Sequence, residues 1–214
     1  MSVPLPRICL VYFDFEGKAQ AIRLALFIAG IPFTDQRIDR EEWRQLKSLM
    51  PYGQLPVLEV TDEDGSVTRI PQSLAILTYV GRLAGLMGGP NAIQQALVTA
   101  TLQHMLDIGY LMAPLAREVD PVRVAAAKGP AIYWFRRLEM QLVASASGWL
   151  VGEHLTVADL SCYGVILFLK HATLLPSLHE AFPAVLALFD RVAAVPKVME
   201  WTASHPHKLK PPVL

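Results

Sequence analysis

The sequence predicts an α/β domain of order βαβ-α-ββα followed by an all-helical domain, and three observations carry that prediction. Short β-favouring runs alternate with helical ones over residues 1–84, Gly85, Gly88, Gly89, Pro90 and Asn91 then break the chain, and everything from 91 to 214 reads as helix. At 214 residues, 53% of them hydrophobic, the chain is long enough for two small domains with well-buried cores, which excludes a disordered protein.

Taken in order, Ile8–Tyr12 is a short buried strand and Ala19–Ala29 a helix of Ala, Leu, Ile and Arg, closed by Gly30 and Pro32. Phe33–Ile38 alternates as a second strand, and the βαβ order makes the two strands parallel. Asp39-Arg-Glu-Glu42 is an N-cap signature for a short helix carrying Trp43 and Lys47. Asp64-Gly65 separates Leu55–Val60 from Val67–Ile70, which reads as a hairpin, and a helix runs from Gln72-Ser73 to about Leu83. In the second part, Ala92–Glu118 is a long helix that Gly109 and Pro114 should bend. Asp120-Pro121 restarts the chain, and Gly129-Pro130 is expected to interrupt that helix before it continues to Ala144. Thr156-Val-Ala-Asp159 caps the apolar Leu160–Leu169 segment, and Phe182-Pro183 and Val195-Pro196 open two further short helices. No internal repeat or low-complexity segment occurs.

Nineteen basic residues balance nineteen acidic ones without long runs of either sign, so nucleic acid and anionic membrane surfaces are excluded as partners. The most apolar window, Leu160–Leu175, is broken by Lys170 and His171 and closed by Pro176, so it is a core helix and not a membrane span. The N-terminus lacks the pattern of a signal peptide, and Cys9 and Cys162 lie far apart in apolar runs, which suits reduced thiols and a cytoplasmic protein. The six histidines show no metal-ligand spacing, so no metal is expected.

The chemistry gathers around Met50-Pro-Tyr-Gly-Gln-Leu-Pro-Val-Leu-Glu-Val60. Pro56 lies where a loop becomes a strand, and a cis bond before it would present the Leu55 backbone groups as a short edge that a peptide-like ligand could extend. Tyr12 ends the first strand, at the edge where open α/β sheets bind ligands. The helix start at Gln72-Ser73 offers free amides, a hydroxyl and a positive dipole end to a carboxylate, and Trp43, Lys47 and Gln54 stand ready for a second. The pattern describes a small peptide with acid groups at both ends, lying across Pro56.

These residues, with Gly17-Lys18, Ile22-Arg23 and the later Gly152-Glu-His-Leu-Thr-Val-Ala-Asp159, resemble those of the cytosolic glutathione transferases, most closely the tyrosine-using sigma, alpha and pi group. The resemblance implies a thioredoxin-like N-terminal domain, an all-helical C-terminal domain and a homodimer, with glutathione as co-substrate and no cofactor. It implies that Tyr12 is the catalytic hydroxyl, donating to the glutathione sulfur, and that Leu55 pairs with the cysteinyl unit beside Pro56. Gln72 and Ser73 would hold the γ-glutamyl carboxylate, while Trp43, Lys47 and Gln54 face the glycyl end and Asp107 meets the γ-glutamyl ammonium of the partner subunit. The electrophile would lie against Phe13, Phe15 and Met112, with Leu209–Leu214 as a lid. Two departures stand out. Lys18 replaces the usual arginine, which would weaken thiolate stabilisation, and Gln54 replaces a lysine found in some members. Conjugation of soft hydrophobic electrophiles is the leading reading, followed by isomerisation of an unsaturated lipid with the same thiol. A thiol redox enzyme is disfavoured by the lack of a Cys-x-x-Cys, and a non-catalytic protein of the crystallin kind by the intact site residues.

Overall fold

The structure, a computed structural model, describes residues 6–112, 121–171 and 181–205. The chain falls into two compact units, one formed by Met1–Gly85 with Lys197–Leu214 and the other by Leu86–Pro196.

The first unit is built on a four-stranded sheet of order β2-β1-β3-β4. Strand β1 (Arg7–Phe13) pairs parallel with β2 (Phe33–Ile38) and antiparallel with β3 (Val57–Thr61), which forms a hairpin with β4 (Val67–Pro71). The hairpin closes where Asp64-Gly65 predicts it: the Gly65 amide donates to the Asp62 carbonyl and the Ser66 amide to the Asp64 carboxylate. Helix α1 (Gln20–Ile28) is preceded by a 3-10 turn, Gly17–Ala19, and every residue from Gln20 to Leu26 is buried. Asp39 caps α2 (Arg40–Leu46) by accepting from the Glu41 and Glu42 amides while Glu42 accepts from the Asp39 amide, so the capping box read in the sequence forms. Helix α3 (Ser73–Leu83) follows β4 directly.

The second unit holds α4 (Ala92–Met112), α5 (Pro121–Ala144), α6 (Val157–His171) and α7 (Pro183–Ala193). Val98, Thr101, Leu102, Met105, Ile108 and Met112 recur on the buried face of α4 at the spacing of a core-facing helix. Asp159, fully buried, accepts from the Leu150 amide (2.9 Å), the Thr156 amide (2.8 Å) and the Thr156 hydroxyl (2.9 Å), tying the 145–152 loop to the start of α6. Glu139 on α5 caps α7 from a distance in sequence, its two oxygens accepting from the Ala184 and Val185 amides at 2.9 Å each.

Two expectations are corrected. Helix α5 runs unbroken through Gly129-Pro130. A proline inside a helix removes one amide donor, and the hydrogen-bonded turns on either side carry the helix across that gap. The final helix, α8 (Pro196–Ser204), groups with the first unit and not with the other helices, because buried Trp201 packs against Phe27 and Phe33 at ring separations of 5.2 and 6.2 Å. Both cysteines are free, Cys162 buried and Cys9 half-buried. Among the described residues no helix is long and apolar enough to cross a membrane, and no cluster of His, Cys, Asp or Glu could hold a metal ion.

Candidate active site

Tyr12 points from the end of β1 beneath the turn that starts α1. Tyr12 is 5% exposed, and its ring clusters with those of the half-exposed Phe13 and Phe15 at centroid distances of 5.8 and 5.3 Å, the two phenylalanine rings lying 6.3 Å from each other. The Lys18 backbone amide donates to its hydroxyl at 3.2 Å, and among the described residues that hydroxyl donates to nothing. One lone pair is thus occupied while the hydrogen remains available, the arrangement of a donor awaiting an acceptor. Burial pushes the Tyr12 phenol up to about 12, against the smaller pull of the Lys18 amide and the Arg23 charge. It is therefore a neutral donor at physiological pH.

A pH signature follows from that value. Tyrosine in an unfolded chain titrates near 10, so between about 10 and about 12 the folded state keeps a proton that the unfolded state has lost. The contribution is fully present below about 10 and disappears as pH rises through about 12, a loss of about 2–3 kcal/mol of folding stability. Denaturant midpoints measured at pH 9 and 11 should fall further for the native sequence than for Tyr12→Phe; parallel losses in the two proteins would contradict the assignment.

Gly17 shapes the other side of the hydroxyl. Its φ is +38°, and a Cβ placed there would lie 2.6 Å from the Tyr12 oxygen and 2.5 Å from the Phe15 ring. Only glycine fits both the backbone and the space. Gly17→Ala is expected to displace the Tyr12 hydroxyl and lower turnover by about tenfold, read as a change in kcat at saturating substrate; an unchanged kcat would show that the loop yields freely.

The central loop is assembled by packing. The Leu55–Pro56 peptide is cis, Pro56 is buried, and the half-buried Leu55 and Trp43 pack on a small core of Val11, Ile38, Met50 and Val57. Trp43 also meets Phe13 edge-on at 6.0 Å. Lys47, at the end of α2, runs its stem along Gly53, within 3.7 Å of where a Cβ would stand. Gln72 adopts φ +70° immediately before α3 and donates from its side-chain amide to Gln54 at 3.1 Å, with buried Ser73 next to it. Gln54 is thus joined to the Gln72 side of the loop, whereas the sequence grouped it with Trp43 and Lys47.

In the second unit, the Asp107 carboxylate accepts from the Gln103 side chain at 2.7 Å, and Met112 is buried in the helical core. The segment 209–214, read as a lid, lies outside the described residues. Sequence reading missed the part played by Arg23. Its signal was an arginine set among Ala, Ile and Leu on the apolar face of α1, where a guanidinium is tolerated only if it is fully bonded.

Two family models match, described as "Glutathione S-transferase, N-terminal domain" over residues 9–82 and "Glutathione S-transferase, C-terminal domain" over residues 124–205. The chain belongs to the glutathione S-transferase family. This transferase is 30% identical over 210 residues to glutathione S-transferase 1 of Ascaris suum, covering 94% of this chain and 98% of the relative. It is also 30% identical over 211 residues to the hematopoietic prostaglandin D synthase of Gallus gallus, with the same coverage. Among solved structures, the glutathione S-transferase from Ascaris lumbricoides superposes with a TM-score of 0.85 at 30% identity, covering 96% of this chain and 100% of that one. The first unit of the transferase therefore carries the thioredoxin-like fold of the family and the second its helical fold.

Proposed function

We propose that this transferase joins the thiolate of glutathione to small hydrophobic electrophiles, with Tyr12 as the catalytic hydroxyl. The observation that carries the reading is the Tyr12 oxygen, held by the Lys18 amide and still able to donate. A free thiol with pKa about 8.5 is only a few per cent ionised at neutral pH. A hydrogen bond from Tyr12 that lowered it by two units would make most of it nucleophilic, which corresponds to about 2.7 kcal/mol of selective anion stabilisation. The thiol proton passes to solvent, the sulfur forms a bond to the electrophilic carbon, and the leaving group departs with the bonding pair.

Leu55 beside Pro56 would hold the cysteinyl backbone, Gln72 and Ser73 the γ-glutamyl carboxylate, and Trp43 with Lys47 the glycyl carboxylate, Gln54 bracing Gln72. Lys18 serves through its backbone, so its replacement of arginine leaves the bond to Tyr12 intact. Phe13 and Phe15 offer apolar surface beside Tyr12 for the electrophile. Glutathione acts as co-substrate with no resident cofactor, in the cytoplasm, where that thiol is kept reduced. A homodimer, to which Asp107 would contribute across the interface, suits the apolar side chains left exposed on β4 and α4, Val67, Ile93 and Leu97 among them.

The test is a pH titration of thiolate absorbance with glutathione bound. A bound thiol ionising well below the free one supports the proposal, and an unshifted one overturns it. A second reading, isomerisation of an unsaturated lipid by the same thiolate, is favoured by the equal identity to a relative named as a prostaglandin D synthase. A panel of aryl halides, enals and lipid endoperoxides separates the two.

A further inference from the structure

Arg23 is the largest fully buried side chain among the described residues, with none of its surface exposed. Burying a guanidinium costs several kcal/mol unless its donors are met. Here they are met in a particular way. Nε donates to both oxygens of Asp35 at 3.0 and 3.1 Å, Nη1 to the carbonyls of Phe15 (2.8 Å) and Glu16 (3.5 Å), and Nη2 to the carbonyl of Phe13 (3.3 Å). All three carbonyls belong to the four residues that connect Tyr12 to Gly17-Lys18.

A second arm reaches the same four residues from outside. Asp35 accepts at 2.7 Å from Arg37, whose Nη1 donates to Asp14 at 2.9 Å. Arg37 is the register partner of Tyr12 on the neighbouring strand. Residues 14–16 form neither helix nor strand, and this network of two arginines and two aspartates bonds to the segment that joins Tyr12 to Lys18. The Arg23 guanidinium carbon also lies 5.8 Å from the Tyr12 ring centre, placing a fixed positive charge beneath the group that meets the sulfur.

We propose that Arg23, oriented by Asp35 and backed by Arg37, is the positioning residue of the thiol site, setting the Tyr12 hydroxyl through the carbonyls of residues 13, 15 and 16. This inference rests on the reading that Tyr12 donates to the glutathione thiolate. It requires the planar fork of arginine, since a lysine ammonium would keep the charge but could not span the carboxylate and three carbonyls in fixed directions.

The experiment uses the full chain with Arg23→Lys and, separately, Arg37→Gln at the better exposed arm. For Arg23→Lys, the bound thiol pKa should rise by about one unit and kcat toward an aryl halide fall by about tenfold, with the KM for glutathione within about twofold. Arg37→Gln should move both quantities in the same direction by about threefold in kcat. A lowered melting temperature with the native thiol pKa and kcat retained would make the network a stability element only and overturn the proposal. Should Arg23→Lys fail to fold, Arg37→Gln decides alone, and an unchanged thiol pKa in it is the overturning result. If the native protein itself leaves the bound thiol unshifted, the thiol reading falls and this inference with it.

Discussion

Tyr12→Phe is expected to cut turnover of an aryl electrophile at neutral pH by about 100-fold, with the bound thiol pKa rising toward its free value of about 8.5. The ring of phenylalanine fills the same space against Phe13 and Phe15, so the loss isolates the hydroxyl. KM for glutathione should change little, since in the proposed mode the hydroxyl meets the sulfur alone and other residues take the carboxylates and backbone of the peptide. The deficit should also shrink as pH rises above about 8.5, because solvent then supplies the ionisation that the hydroxyl supplied below it. Turnover that stayed within a factor of three of the native rate at neutral pH would remove Tyr12 from the chemistry.

Asp159→Ala is expected to destabilise the protein by about 4 kcal/mol. Three donors, the Leu150 amide, the Thr156 amide and the Thr156 hydroxyl, lose a common acceptor in a place closed to water. Each unsatisfied buried group costs about 1–3 kcal/mol, and because the three share one carboxylate the costs do not add in full. The start of α6 loses its carboxylate as well. Denaturant midpoints give the number, and specific activity per folded molecule should be unaffected. A loss under about 1 kcal/mol would mean that water or a neighbouring side chain fills the gap.

Local chemistry was the legible part of the sequence. The capping boxes at Asp39 and Thr156-Asp159, the Asp64-Gly65 turn and the glycine after α1 each depend on residues within a few positions of one another, and each forms as its spacing predicts. The same holds for Tyr12 and Ser73, whose places follow from the ends of β1 and α3. What escaped depends on contacts between distant segments. Arg23 gains its purpose from Asp35, twelve residues away, and from carbonyls, which carry no side-chain signature. Gln54 was grouped by proximity in sequence with Trp43 and Lys47, yet its side-chain oxygen accepts from the amide of Gln72, eighteen residues on. Pro130 looked like a break because its own missing donor is visible in the sequence, while the helical turns that continue on either side of it are not.

Position 72 sets local comfort against usefulness. A residue other than glycine held at φ +70° bears a penalty of about 1–3 kcal/mol, and a search for heat resistance by the usual backbone rules would install glycine there. Glycine would relax the turn into α3 and at the same stroke erase the amide that braces Gln54. Directed evolution for durability and for peptide capture would therefore pull this position in opposite directions, and variants enriched at 72 under one selection should be depleted under the other.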